Sequence, residues 1–183
     1  PTLLSRDLIP NQGYQMPSGE WRGTFLGLAP AYAWAIRVIL IYGYAAVALY
    51  WVWRGYLVFR EHYRYADWTP NDDVVERFRT HRWGQFGALI VFAFVVMAVF
   101  APPLGPTTVE RTISNPYSYE IQYVDGGEIQ SATVGEANLA ARSQGSPDQN
   151  VGPMQYDQYG RWHPFGTLPT GKDMFTFMAA GAR

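Results

Sequence analysis

The chain has no cysteine among its 183 residues, so neither a disulfide framework nor a thiolate metal site can form. The net charge is only −1, which excludes the strongly basic surface typical of nucleic-acid-binding proteins. Histidine occurs only at His62, His81 and His163, whose spacing matches no metal-binding motif. We therefore predict surface or interfacial histidines, no metal or cofactor site, and no nucleic-acid partner.

Apolar residues are concentrated in two runs, whereas a soluble core would spread them along the chain. Residues 30–53 contain a single charge, Arg37, and residues 86–104 contain none. A helix that crosses a bilayer needs about twenty such residues. Aromatic residues cluster at both ends of the first run, and Arg37 is close enough to one end to reach the headgroup zone. The alternative, a buried helix of a soluble protein, lacks a partner with enough apolar surface to enclose it. The sequence thus predicts a mainly α membrane protein with two transmembrane helices.

The segments that flank these runs predict the topology. Residues 1–29 should form an N-terminal tail or surface loop, because prolines and glycines interrupt any periodicity. The connector, residues 54–85, contains six arginines, and the positive-inside rule places such a loop in the cytoplasm. Residues after about 104 would then be extracytoplasmic, in a multi-pass protein of the cell membrane. Within the connector, residues 69–73 are typical of the start of a short interfacial helix. Its arginines could contact anionic lipid or a partner subunit, or face solvent.

Residues 105–162 predict an external hairpin and a loop. Polar and apolar side chains alternate in residues 117–124 and again in 128–134, with Gly126 and Gly127 at the turn. No set of nucleophile, base and oxyanion donors is apparent, so we predict that the chain is not an enzyme and has no catalytic residue. The acids of this region are interpreted as a solvated face: Glu110, Glu120, Asp125, Glu128, Glu136, Asp148 and Asp157.

The last stretch, residues 163–183, combines a rigid turn with a short amphipathic helix. Its prolines fix φ, and its glycines permit backbone angles that a side chain would forbid. Thr170 is the predicted N-cap, Asp173 completes a capping box, and the helix should end near Gly181. The predicted apolar surface of this helix consists of Met174, Phe175, Phe177 and Met178.

Residues 166–172 also fit the first seven positions of a phosphate-binding P-loop. That loop requires a buried strand before it and a Ser or Thr after the lysine. Here residues 156–162 are polar, and Lys172 is followed by Asp173. We therefore reject nucleotide binding by this stretch.

The same stretch resembles the segment before the permease core in the second permease subunit of dipeptide, oligopeptide and nickel ABC importers. The family pattern is roughly His-Pro-x-Gly-Thr-Asp-x-x-Gly-Arg-Asp, followed by a short helix that ends Gly-Ala-Arg. Lys172 keeps the charge of the family's arginine, whereas Leu168 replaces an aspartate and Phe177 stands where arginine is frequent. Nine residues match as they stand: His163, Pro164, Gly166, Thr167, Gly171, Asp173, Gly181, Ala182 and Arg183.

The resemblance extends from Phe86 onward and implies that the chain is the N-terminal part of such a permease subunit, with the permease core following Arg183. It implies four kinds of partner: a second permease subunit, ATP-binding subunits, an extracellular solute-binding protein and membrane lipid. Residues 163–183 would then be a structural motif that docks its helix against the rest of the permease. The helix at 30–53 lies outside the common family plan. The alternative is a membrane anchor that carries a small external interaction module.

Overall fold

Two long helices form the main body of the protein. The computed structural model describes residues 8–10, 13–63, 70–106, 117–118, 120–143, 150–168 and 171–183. The first long helix, α1, spans Pro30–Tyr63; a shorter α2 spans Pro70–Thr80; the second long helix, α3, spans Arg82–Val99; and one further turn, α4, spans Ala101–Leu104. Contacts from Trp34 to Leu104 and from Tyr42 to Ala93 show that α1 and α3 lie antiparallel.

Both long helices are apolar and long enough to cross a membrane. Only 11% of the apolar window of α1 and 6% of that of α3 are buried within the chain. A core helix of a soluble protein would be mostly covered by its own chain, so the soluble alternative does not account for these helices. The protein is therefore a mainly helical membrane protein.

The helices extend further into the connector than the sequence predicts. α1 continues to Tyr63 instead of ending at residue 53, because each residue added to a nucleated helix forms a further backbone hydrogen bond. α3 begins at Arg82 instead of residue 86, because the His81 ring is its N-cap and accepts a hydrogen bond from the Gly84 backbone N–H at 2.9 Å. The predicted start of α2 at Thr69 lies outside the described residues.

One apolar cluster joins the two long helices. Ile41, Val96 and Leu104 are almost completely buried together, and the Tyr42 hydroxyl donates to the Ala93 carbonyl at 3.1 Å. The break in the second helix falls at Phe100, before the proline pair that was expected to end it. The prolines instead occupy the first turn of α4, where a missing N–H leaves no helical bond unmade.

The remaining described residues form a unit beside the first turns of α1 and the end of α3. It comprises the described parts of 8–29 and 117–183 and is termed the head unit. Strands β1 (Tyr14–Gln15) and β2 (Trp21–Arg22) pair antiparallel, and the Trp21 ring lies 5.2 Å from that of Tyr156. Where the sequence predicts a tail or surface loop, the described residues before α1 thus contain a short strand pair and one aromatic contact to the C-terminal segment.

A hairpin and a helix complete one side of the head unit. β3 (Glu120–Asp125) pairs antiparallel with β4 (Glu128–Thr133). Gly126 and Gly127 close the turn with φ of 59° and 89°, as a two-residue hairpin turn requires. Helix α5 (Val134–Ser143), which the sequence did not predict, follows directly, and a reciprocal capping box between Thr133 and Glu136 starts it.

The final elements are short. β5 (Gln155–Tyr156) pairs with β6 (Trp162–His163), and helix α6 spans Met174–Gly181, ending where the sequence predicts. The Tyr156 hydroxyl accepts a hydrogen bond from the Ala31 backbone N–H at 3.3 Å, so the head unit satisfies one of the unpaired donors at the start of α1.

Candidate functional site

A buried histidine between two carboxylates lies at the centre of the C-terminal motif. The side chain of His163 is 1% exposed. Its Nδ1 is 2.8 Å from Oδ1 of Asp173, and its Nε2 is 3.3 Å from Oδ2 of Asp157. The guanidinium of Arg161 forms an ion pair with that same Asp157 oxygen. These four residues are termed the His163 cluster.

A tight turn between β5 and β6 positions the first carboxylate. Oδ1 of Asp157 accepts hydrogen bonds from the backbone N–H groups of Tyr159, at 3.0 Å, and Arg161, at 2.8 Å. Gly160 allows the chain to reverse with a φ of 72°. An aspartate that binds the backbone two to four residues later is typical of such turns, and it brings Arg161 back over its own carboxylate.

The second carboxylate is the N-cap of α6. Oδ2 of Asp173 accepts from the Thr176 backbone N–H at 2.7 Å, while Oδ1 contacts His163. The sequence placed Asp173 inside the first turn with Thr170 as the N-cap, and this assignment is wrong, because the backbone of Asp173 is still extended, with φ −67° and ψ 120°. Thr170 itself lies outside the described residues.

The motif glycine between these groups is required by a close backbone crossing. Gly166 has a φ of 79°, and a Cβ there would lie 2.6 Å from the carbonyl oxygen of Val151. Thr167 forms two hydrogen bonds with the backbone of Val151. Its N–H donates to the Val151 carbonyl, and its Oγ1 accepts from the Val151 N–H, each at 3.0 Å. The Gly166 carbonyl in turn accepts from the Met174 N–H at 3.1 Å.

The other motif residues lie on either side of this crossing. Pro164 is buried, and its carbonyl accepts from the Met154 N–H at 3.2 Å; Gly171 has a φ of 74°. Gly181, Ala182 and Arg183 lie at the far end of α6, away from the His163 cluster. The structure therefore brings His163, Gly166, Thr167 and Asp173 together and leaves the Gly-Ala-Arg end apart.

Opposite charges favour the ionised forms of His163 and Asp157. Burial alone would lower the pKa of His163, but hydrogen bonds and charge from Asp157 and Asp173 outweigh it and raise the pKa above 6.5. Burial alone would raise the pKa of Asp157, but the charge of Arg161 and the bond to His163 lower it to about 2. The ring of His163 and the guanidinium of Arg161 thus face two carboxyl groups.

This arrangement favours a structural role. Both ring nitrogens of His163 are engaged by carboxylates, which leaves neither to activate a nucleophile or bind a metal. Within the part of the chain that the structure describes, no group of three or more ligating side chains could hold a metal ion. The prediction of a surface or interfacial histidine is wrong for His163, which is buried within the head unit, and the prediction of a solvated carboxylate is wrong for Asp157, whose side chain is 6% exposed.

Helix α6 packs against the end of the membrane helices, and Phe175 provides its aromatic contacts there. The Phe175 ring lies 5.5 Å from that of Trp34 and 5.3 Å from that of Phe165, edge-on in both cases. The Trp34 indole N–H donates to the Leu104 carbonyl at 2.9 Å, so it ties α1 to α4 at the same place. Of the four residues predicted to form the apolar surface of this helix, Phe175 is the one that is half-buried. The other three are exposed: Met174 38%, Phe177 41% and Met178 47%.

A buried arginine ties the loops of the head unit to α1. Arg37 is fully buried and donates to the carbonyls of Ile9, at 3.3 Å, and Gly105, at 2.9 Å. The sequence predicts that this side chain extends toward the headgroup zone, and in the structure these two segments cover it and supply acceptors for its guanidinium. A charged group placed among apolar helices requires such partners.

The sequence contained signals for residues that were missed. An Asp-x-x-Gly-Arg pattern at 157–161 is typical of a side-chain-stabilised turn, which could have removed Asp157 from the solvated acids. A lone arginine in an apolar run could likewise have indicated a buried carbonyl-binding site. No local pattern indicates that Trp34 meets Phe175, since these residues are far apart in sequence.

The His163 cluster predicts a specific pH dependence for the stability of the head unit. The contribution of Asp157 to the free energy of unfolding is fully present above its ordinary pKa of 3.8. This contribution is lost as the pH falls towards about 2. His163 contributes fully below 6.5 and loses its contribution as pH rises through its raised pKa. Thermal melting followed by tryptophan fluorescence should therefore show maximal stability from about pH 4 to 6.5. His163→Asn should abolish the decline on the alkaline side, and an unchanged decline in this variant would contradict the assignment.

Two long apolar helices joined to a packed head unit define a membrane protein whose buried polar site holds structure together. Residues 69–125 match the family described as the N-terminal TM domain of oligopeptide transport permease C. This segment runs through α2, α3 and α4 to the end of β3. This match confirms the resemblance to the permease subunit of peptide-type ABC importers over residues 69–125. The matched residues do not include 163–183. No curated protein and no solved structure matches the chain.

Proposed function

We propose that this chain is the N-terminal part of the transmembrane permease subunit of an ABC importer for peptides or related small solutes, with a role in structure and assembly and no chemistry of its own. The family match over residues 69–125 is the observation that carries the proposal. The two largely uncovered apolar helices support it, because a permease must present such surfaces to lipid and to partner helices.

The head unit would lie on the extracytoplasmic side and hold residues 163–183 as a latch. Contacts at one end of the helix pair support this role. Phe175 packs on Trp34, Trp34 binds the Leu104 carbonyl, and Arg37 binds the Gly105 carbonyl. The latch would fix the direction in which the chain leaves α6, toward the permease core. The partners proposed with it are a second permease subunit, ATP-binding subunits and an extracellular solute-binding protein.

The proposed topology can be tested with single cysteines, because the natural chain has none. Ser131 in β4 and Thr80 at the end of α2 are both exposed and lie at opposite ends of the helix pair. In intact cells, a membrane-impermeant thiol reagent should label Ser131→Cys and leave Thr80→Cys unlabelled until the membrane is permeabilised. The reverse pattern would contradict the orientation, and labelling of both before permeabilisation would contradict the membrane placement.

If residues 163–183 act as a latch, stability and subunit assembly should depend on the side chain of Phe175 and not on that of Phe177. Phe175→Ala removes the ring that contacts Trp34 and Phe165, and because this ring is half-buried we expect a loss of about 1–3 kcal/mol. Phe177→Ala is the matched control, since that side chain is 41% exposed on the same helix. Co-purification of the partner subunits and uptake by the reconstituted transporter should fall only in the first variant, with ATP binding by the ATPase unchanged. Equal behaviour of the two variants would refute the latch.

A further inference from the structure

A groove lies between the C-terminal part of α1 and helix α2, at the end of the molecule opposite the head unit. It has a volume of about 750 Å³, within the size range of small-ligand sites. Eight described residues line it: Trp53, Tyr56, Arg60, Val74, Val75, Glu76, Arg79 and Thr80. We infer that this groove binds one anionic phospholipid, with the phosphate held by Arg60 and Arg79 and the acyl chains lying against the aromatic and valine side chains.

The position of the groove along α1 supports a lipid as the occupant. The apolar run of α1 ends at Trp53, and the helix continues through Tyr56 to Arg60 without a break. The rings of Trp53 and Tyr56 lie 5.8 Å apart, side by side on the groove wall. Tryptophan and tyrosine favour the headgroup level of a bilayer, so the groove spans the depth where acyl chains give way to phosphates.

The chemistry of the lining distinguishes a lipid from free phosphate. Among the described lining residues, two guanidinium groups of the kind that binds a phosphodiester in a bidentate manner stand against one carboxylate, Glu76. Free phosphate would require no apolar wall, whereas Val74 is 64% exposed and Tyr56 41% exposed within the described structure. An acyl chain would cover both. Basic pockets between helices at the membrane surface are typical sites for anionic headgroups.

The C-terminal half of helix α2 resembles a helix that lies in a membrane interface, whereas its N-terminal half holds Asp72 and Asp73. Phe78, on α2, and Trp83, just beyond it, are 43% and 80% exposed, while Arg77 and Arg79 are in its last turn. Such helices place apolar side chains among the acyl chains and arginines among the phosphates. A lipid in the groove would then join α2 to α1. The inference rests on the proposed membrane placement of the chain, with this end in the cytoplasmic leaflet.

The inference can be tested by native mass spectrometry of the full protein in mild detergent, titrated with phosphatidylglycerol or phosphatidylcholine. The wild-type protein should bind phosphatidylglycerol more tightly than phosphatidylcholine. Inorganic phosphate should not compete with phosphatidylglycerol for the groove. Arg60→Gln and Arg79→Gln should each weaken binding about fivefold, and together about twenty-five-fold. Arg60→Lys should retain most of the affinity, and Glu76→Gln should increase it. Arg77→Gln is the matched control, because it removes the same charge from the same helix without lining the groove.

Three outcomes would overturn the inference. The first is an absence of preference for phosphatidylglycerol over phosphatidylcholine. The second is an equal loss in the Arg77→Gln control, which would indicate diffuse attraction to the helix. The third is unchanged lipid binding in Arg60→Gln and Arg79→Gln, with loss of the co-purified ATP-binding subunits, which would assign the groove to a protein partner. If any of these occurs while uptake and the cysteine labelling pattern follow the proposed topology, only the lipid inference fails and the permease proposal stands.

Discussion

Asp173→Ala should destabilise the head unit by about 3–5 kcal/mol, the cost of removing one partner from a buried ion pair. Asp173 is 2% exposed and makes two bonds, to the ring of His163 and to the backbone N–H of Thr176. An N-cap alone contributes about 0.5–2 kcal/mol, so capping accounts for the smaller part of the loss. The larger part arises because the buried ring of His163, whose protonated form its carboxyl partners favour, loses one of those two partners.

Trypsin can measure this effect, because Arg161 has a side chain that is only 11% exposed in the folded head unit. Cleavage after Arg161 requires opening, and a loss of about 3–5 kcal/mol should accelerate it by about a hundredfold or more. Asp173→Asn should show an intermediate rate, because asparagine caps a helix well but provides no charge for His163. Cleavage of Asp173→Ala at the wild-type rate would refute the role assigned to the His163 cluster.

A double-mutant cycle would separate the two contributions. If the contact between His163 and Asp173 dominates, Asp173→Ala should cost much less in a His163→Ala background than in wild type. If capping dominates, its cost should be the same in both backgrounds. In the assembled transporter, Asp173→Ala should also reduce co-purification of the partner subunits and uptake, while ATP binding by the ATPase stays unchanged.

Gly166→Ala should destabilise the head unit by about 2–5 kcal/mol for two independent reasons. At a φ of 79°, backbone strain destabilises a residue that has a side chain by about 1–2 kcal/mol. The new Cβ would also lie 2.6 Å from the Val151 carbonyl oxygen and 3.0 Å from the Gly152 carbonyl carbon, and both are backbone atoms that cannot rotate away. Overpacking of this kind typically costs a further 1–3 kcal/mol, roughly.

Gly181→Ala provides a matched control in the same motif. Gly181 lies in α6, and a Cβ there meets nothing within 4 Å. We expect this substitution to be neutral or to stabilise the helix by up to about 1 kcal/mol, because alanine is the better helix former. Melting temperature and trypsin cleavage after Arg161 should therefore change strongly for Gly166→Ala and little for Gly181→Ala. Similar behaviour of the two variants would show that the backbone crossing at Val151 is not a constraint.

The membrane helices and the family resemblance could be predicted from sequence because both are local properties. A run of about twenty apolar residues needs no knowledge of other segments to indicate a membrane span. The hairpin turn at Gly126 and Gly127 is equally local, since two residues with positive φ can be anticipated from the glycine pair. The end of α6 at Gly181 also agrees with the local pattern.

Only the tertiary structure decided which polar residues are buried. His163 meets Asp173 ten residues later and Asp157 six residues earlier, and hydrophobic periodicity carries no signal for such contacts. Arg37 likewise finds its acceptors at Ile9 and Gly105, which lie 28 and 68 residues away. The sequence alone assigned these charges to solvent or headgroups, because a charged side chain favours water unless folding provides its partners. Those partners come from distant segments, and their distances become defined only when the head unit packs against the two membrane helices.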